Sequence, residues 1–511
     1  MAFSWHVHLV GNANQSKARG VFQSPASVAP SNPEANDRNR LRRLSRLPVL
    51  LAGPVVRRLE RGRVWIWLAT SIPVTVYAWV EDPSAPAMLH NELGNGRARS
   101  FRVGGRLHIV LVRIDATVTP PERRGQFPSE TILTYNVRLS TVRDDWFFDG
   151  EVLLHPSDIV IGSYQAPTFF VPSPERSRVR FLHGSCRKLH GEGEDAISRA
   201  LNVLQAAASQ PQHRPTHLLL TGDQIYGDDV HTELIEQIRW LGLRLMARRE
   251  YLPGLGQSTV LTEPGERGAI VTRGGFTAGD VARNHLLGLG EYAAMYLLAW
   301  SPEVWQQYGA SSGLEDTSAD MRRLLANIPT YMTFDDHEIT DDWNLTYEWV
   351  FNVASNPTTR RVISNGLAMF GVFQAMGNNP RRANTLRRVA ASNPVMATRQ
   401  TAQTASDSAV QGTDVSRWPR FDRDTWGFLH WAFVAKMRPR VIFLDTRTHR
   451  VWERGWAPNR QRVAGLLAPY ALERLRRHLR AVGGHVNEPV VIVFTSPSHW
   501  LRARGVSALE C

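Results

Sequence analysis

From Val64 onward, β-branched and aromatic residues crowd into short stretches, Val64–Leu68, Val74–Val80, Arg106–Val112 and Thr131–Leu139, with Pro73, glycines and charged residues between them. Runs of this length without helical periodicity predict strands, and their succession predicts an antiparallel β-sandwich over residues 48–175. The segment Val171-Pro172-Ser173-Pro174 reads as the linker that follows it.

The rhythm then changes. Apolar runs at Val179–Gly184, His217–Thr221, Thr330–Phe334, Val441–Leu444 and Val490–Phe494 alternate with helical stretches such as Glu194–Ala208, Gly290–Trp300 and Leu472–Ala481. Buried strands separated by helices predict an α/β domain over residues 176–511. Residues 353–420, rich in Asn, Arg, Ala, Thr and Ser with one apolar helical patch, read as an inserted surface segment. Residues 1–47 are polar and aperiodic and read as a disordered basic extension. Arg42 and Arg43 before a short apolar stretch raise a twin-arginine export signal. Pro48, Pro54, Arg57 and Arg58 break that stretch, so a first strand explains it better.

Composition narrows the classes. A chain of 511 residues with 43% hydrophobic and 21% charged residues is globular rather than disordered or fibrous. Sixty Lys and Arg against 47 Asp and Glu give a net charge of +13, which raises nucleic acid as a partner. All but Lys17, Lys188 and Lys436 of these cations are arginines, dispersed along the chain rather than clustered, so no specific nucleic-acid partner is expected. Cys186 and Cys511 cannot form a disulfide framework. No apolar run approaches the roughly 20 residues of a membrane span, so no transmembrane segment is expected; without a convincing signal peptide, a cytoplasmic location is expected.

The chemistry collects where the apolar runs stop: Gly184-Ser185-Cys186-Arg187, Gly222-Asp223-Gln224-Ile225-Tyr226-Gly227-Asp228-Asp229, Asp335-Asp336-His337-Glu338, and Leu444-Asp445-Thr446-Arg447-Thr448. In open α/β sheets the ligand site lies beyond the carboxyl ends of the strands, so these termini converge. A Gly-Asp after one strand is by itself only a capped turn, and Asp341 and Asp342 alone could merely start a helix. Their joint occurrence at successive strand ends points instead to Asp223, Asp336 and His337 as a metal site, because buried charges require a counter-charge. Oxygen donors suit Ca, Mg or Mn, and a thiolate or imidazole suits Fe or Zn, which makes a mixed dinuclear centre plausible.

These motifs, in this order, resemble those of the PhoD-like phosphatases of the calcineurin-like metallophosphoesterase superfamily, over residues 48–497. The resemblance implies a four-layer α/β/β/α core and hydrolysis of phosphate esters by a metal-bound hydroxide, without a covalent enzyme intermediate. It implies Fe together with Ca, Mn or Zn. It further implies Cys186, Asp223 and Tyr226 as ligands of the iron-like metal, with Asp223 bridging, and Asp336 with Asp342 at the second metal. His337 would contact the phosphate and protonate the leaving group, Arg187 would contact phosphate, and Asp445 would be scaffold. A late Gly-Asp-Val-His-type motif that the resemblance requires is absent from the sequence. Val490–Pro497 looks like the strand before it, and Ser498–Gly505 turns basic, with His499 a weak substitute ligand. The expectation is a truncated or frame-shifted end after about residue 497, with low or no activity. The competing expectation is a non-catalytic binding protein or remnant that uses the sandwich or the arginine-rich surface.

Overall fold

The computed structural model describes residues 47–84, 92–117, 125–143, 146–149, 156–176, 178–191, 193–276, 279–309, 314, 316–396, 418–452, 464–482 and 489–495. The proposed basic extension, apart from Leu47, and the segment after 497 with His499 lie outside them. The fold is mixed α/β.

Strands β1 (Leu50–Glu60), β2 (Arg63–Thr70), β3 (Thr75–Glu81), β4 (Glu92–Arg99), β5 (Phe101–Gly104), β6 (Leu107–Ala116), β7 (Thr131–Arg143), β8 (Trp146–Asp149) and β9 (Thr168–Val171) are antiparallel, and β2, β3, β6 and β7 coincide with the apolar runs named above. They form one hydrogen-bonded sheet of order β1-β2-β6-β4-β3-β7-β8, with β5 on β6 and β9 on β7. β4 meets β6 only at Gly94–Ala116 and Asn95–Asp115, so the sheet is nearly split into halves. Residues of both halves, among them Val56, Ile66, Val112, Val76, Leu133 and Val137, share one apolar cluster.

The second face of β1 and β2 is also largely apolar, Arg57 excepted, because residues of these strands also point away from that cluster. Leu51, Val55, Trp67 and Ala69 enter the same core as the helices that follow. Trp67 is fully buried against Trp300 and Phe373, at ring-centroid distances of 5.7 and 5.3 Å, and its indole donates to Val372 O at 2.8 Å. Tyr135 donates to Ala326 O, and Thr168 is held by Asn327 and Arg214. The Val171–Pro174 segment therefore does not separate independent units: the sheet and the α/β part share a continuous interior.

Beyond it, β10 (Phe181–Gly184), β11 (His217–Leu220) and β12 (Thr330–Met332) make a parallel sheet in that order. A second sheet holds β13 (Phe433–Ala435), β14 (Arg440–Phe443) and β17 (Val490–Val493), with β14 and β17 parallel. The two-residue strands β15 (Val451–Trp452) and β16 (Ala464–Gly465) pair separately. The two three-stranded sheets pack on each other through Leu219, Tyr331, Phe433, Val441 and Phe443. Leu218 and Leu220, facing the other way, meet α1 (Ala196–Ala206), α2 (Thr232–Met246), α3 (Leu289–Trp300) and α4 (Ser318–Asn327). The outer side of the second sheet, at Ile442, is covered by Ala471 and Leu475 of α6 (Pro469–Val482).

The described part of residues 353–420 does not lie on the surface throughout. Helix α5 (Pro357–Phe370) runs through the interior, with Val362, Ile363, Leu367, Met369 and Phe370 buried, and continues as a π-helical turn, Gly371–Ala375, buried throughout. Averaging over the polar flanks hides the buried stretch from Arg361 to Asn378; residues 397–417 lie outside the described part. Among the described residues, no helix is long and apolar enough to cross a membrane.

Candidate metal centre

The chain beyond β10, β11, β12 and β14 carries the polar residues to one place. Loop 184–187 continues the strand pairing: Cys186 N donates to Gly222 O at 3.1 Å and Arg187 N to Asp223 O at 2.7 Å. The loops after β11 and β12 approach so closely that a Cβ at Gly222 would lie 2.4 Å from Asp335 Cβ, and Gly222 also has φ of 117°, so only glycine fits. Asp223 and Cys186 themselves have φ of 50° and 57°. This left-handed backbone costs most residues energy and is tolerated best by Asp and Asn.

Asp223, Asp336 and His337 offer ligand atoms that all lie within 4.8 Å of one another, and both carboxylates are buried. The set singled out from the strand ends is thus assembled in the fold. Asp223 Oδ1 is buried without a hydrogen-bond partner, whereas Oδ2 accepts from Cys186 Sγ at 3.6 Å. Tyr226 shares a hydrogen bond with the Cys186 thiol and stacks on His337 with centroids 4.5 Å apart. Cys186, Tyr226, Asp336 and His337 thus gather around Asp223.

His337 is oriented by Asp228, whose Oδ2 lies 2.8 Å from Nδ1, and Nε2 is 3.7 Å from Asp341 Oδ1. Burial opposes the imidazolium, but the hydrogen bond and charge of Asp228, with Asp223 and Asp336, outweigh it and push the ring up to about 10. Burial, aided by Asp335, Glu338 and Cys186, holds Asp223 well above the usual carboxylate range. Asp335 is pushed up to about 7 by burial despite Arg447, and Glu338 up to about 8 by burial. A low-dielectric cluster short of positive charge behaves this way.

Two residues depart from their expected positions. Asp342 is exposed, and it is Asp341 that faces His337. Residue 342 is left-handed, with φ of 58°, and of the pair it is the half-exposed Asp341 carboxylate that approaches His337. Arg187 does not face the cluster: its guanidinium is spent on Asp195 (2.8 Å), Ala299 O (2.9 Å) and Thr317 (2.8 Å). Burial would raise the Asp195 carboxyl, but Arg187, Thr317 and the Ile197 amide hold it below the usual range. Arg187→Met should therefore cost about 3 kcal/mol of stability by stranding Asp195. A lower urea midpoint with unchanged substrate KM is the expected result; a raised KM at unchanged midpoint would restore the phosphate-contact role.

The arginine at the cluster is Arg447, which contacts Asp335 through Nε and Asp336 through Nη1 at 3.0 Å. Asp445 is scaffold as expected: Oδ1 accepts from the Arg447 and Thr448 amides at 3.1 and 2.8 Å. Arg447, Asp228, Asp335 and Glu338 all sit in the motifs but carried no assigned role. Nothing local distinguishes them, because their partners come from other strands.

Comparison with protein-family models and with curated proteins gives no match.

Proposed function

We propose that this cluster is a metal centre supporting hydrolysis of phosphate esters, holding Fe with a second cation drawn from Ca, Mn or Zn. The observation that carries the reading is an excess of buried negative charge. Asp223, Asp228, Asp335, Asp336 and Glu338 are all buried, while the cations in contact with them are Arg447 and His337. Asp223 Oδ1 and Asp228 Oδ1 have no hydrogen-bond partner at all. A protein pays for such carboxylates only if something positive joins them. The helix, sheet, sheet, helix order of layers supports the four-layer core that the sequence resemblance implies.

Asp223 and Asp336 would hold one cation, and Asp223, Cys186 and Tyr226 the other. Bound cations supply Lewis acidity, lowering the pKa of a water and withdrawing charge from a phosphoryl oxygen. The chain's own contribution is orientation and a proton. Asp228 fixes the His337 ring through Nδ1, leaving Nε2 to donate to the departing oxygen. Arg447, buried against Asp335 and Asp336, holds those two carboxylates in place and offsets part of their charge.

The test is metal analysis of the purified chain after reconstitution with Fe, Mn and Ca, alongside hydrolysis of an aryl phosphomonoester and an aryl phosphodiester. Bound metal with chelator-sensitive turnover is expected. His337→Gln should keep the metal and slow the substrate with the poorer leaving group more. A chain that retains no metal overturns the reading.

A further inference from the structure

We propose that Gln374, presented by the buried π-turn and tied to the N-terminal sheet through Arg57, is a positioning residue that fixes the spacing of the two metal-binding loops. The proposal rests on the metal-centre reading above and names the device that holds that centre in register.

Glu338 is the staple between the loops. One oxygen accepts from the amides of Asp335 (2.8 Å) and Asp223 (3.3 Å); the other accepts from the amide of Gln224 (3.1 Å) and from Gln374 Nε2 (2.8 Å). The carboxylate thus joins the loop after β11 to the loop after β12, and Gln374 is the side chain that holds it from behind. Gln374 Nε2 also reaches the Tyr296 hydroxyl at 3.0 Å. Glu338 is 1% exposed and Gln374 0%, so no bulk water replaces these contacts.

The π-turn explains why Gln374 points there. An i→i+5 turn inserts one residue into the helix, re-aims the side chains and takes carbonyls off the regular ladder. Two carbonyls of this turn are taken by the N-terminal sheet: Val372 O by the Trp67 indole and Gln374 O by Arg57 Nη2 at 2.6 Å. Arg57, on β1, is fully buried, and its described partners are all neutral: Gln374 O, Asn378 Oδ1 at 2.8 Å and Met332 Sδ at 2.9 Å. Gly377 makes room for it, since a Cβ there would lie 2.0 Å from Arg57 Nε. Burial drives the guanidinium down to about 9. An uncompensated buried cation is a poor packing choice where a Leu or Met would fill the space. Its contacts span β1, the π-turn and the end of β12, which is the strand that delivers Asp335 to His337. Asn378 completes the link by bonding both the amide and the carbonyl of Met332.

Amide hydrogen exchange on the metal-free full chain tests positioning without relying on metal. Gln374→Met keeps the length and removes the donor, and should raise exchange at the Asp223, Gln224 and Asp335 amides about tenfold while distant amides are unchanged. Phe373→Leu, on the same turn but packed against Trp300 and Tyr296, is the structural control and should leave those three amides protected. Arg57→Lys should loosen the same amides, and the double variant should be no worse than Gln374→Met alone. Titration with Mn²⁺ should then show about tenfold weaker binding for Gln374→Met. Unchanged exchange at the three amides, or equal loosening by Phe373→Leu, overturns the proposal. A wild-type chain that binds no Mn²⁺ overturns the metal reading instead, and the exchange pattern still decides the positioning role.

Discussion

Asp223→Asn should abolish metal binding at the proposed centre and leave the metal-free protein at least as stable as the parent. Asparagine is the informative substitution because position 223 has φ of 50°, which Asn tolerates and Ala resists. In the metal-free state Asp223 is 2% exposed, one oxygen lacks a partner, and Asp335, Glu338 and Cys186 add to burial in opposing its charge. A neutral isostere relieves that cost. In the proposed centre the same carboxylate is shared by both cations, so its loss should lower metal content by at least about tenfold and any phosphate-ester hydrolysis by about 10²–10³-fold or more. Plasma mass spectrometry and a thermal melt in chelator measure the two sides. Unaltered metal content would reduce Asp223 to a turn residue, and a lower metal-free melting temperature would contradict the charge-excess argument.

Trp67→Ala should destabilise the whole chain by about 3–5 kcal/mol, the cost of deleting a fully buried aromatic side chain. The indole lies against Trp300 and Phe373, and its N–H satisfies Val372 O inside the π-turn, so truncation leaves both a cavity and an unpaired carbonyl. Because these contacts join the N-terminal sheet to the helices around the candidate site, urea unfolding followed by tryptophan fluorescence and by far-ultraviolet circular dichroism should shift together in one transition. Two separated transitions, with the second unmoved by the substitution, would show that the sheet is an independent module after all.

The strands and the local chemistry were legible because both are written in neighbouring residues. β-Branched runs around Ile66, Val76 and Val112 predict strands wherever they are buried, and a Gly-Asp or Asp-Asp-His-Glu at a strand end needs no distant partner to be noticed. Recurrence of such motifs at successive strand ends brought Asp223, Asp336 and His337 into view as one set. The choice between Arg187 and Arg447 was not legible: both follow strands in polar motifs, and only the packing of α3 and α4 beside Arg187 turns it toward Asp195 and away from the cluster. Likewise, α5 and the π-turn read as surface because their apolar core is flanked by polar chain, although their burial depends on what the β1–β2 face supplies from 300 residues away.

The sequence by itself therefore determined the strand-rich first part, the α/β second part and the residue types that gather at strand ends, since periodicity and turn chemistry act over a few residues. Tertiary structure decided that the two parts share one interior, that Asp341 rather than Asp342 faces His337, and that Glu338, Gln374 and Arg57 connect. Those outcomes depend on which buried polar group can reach which partner across the fold, and a low-dielectric interior makes every such pairing count.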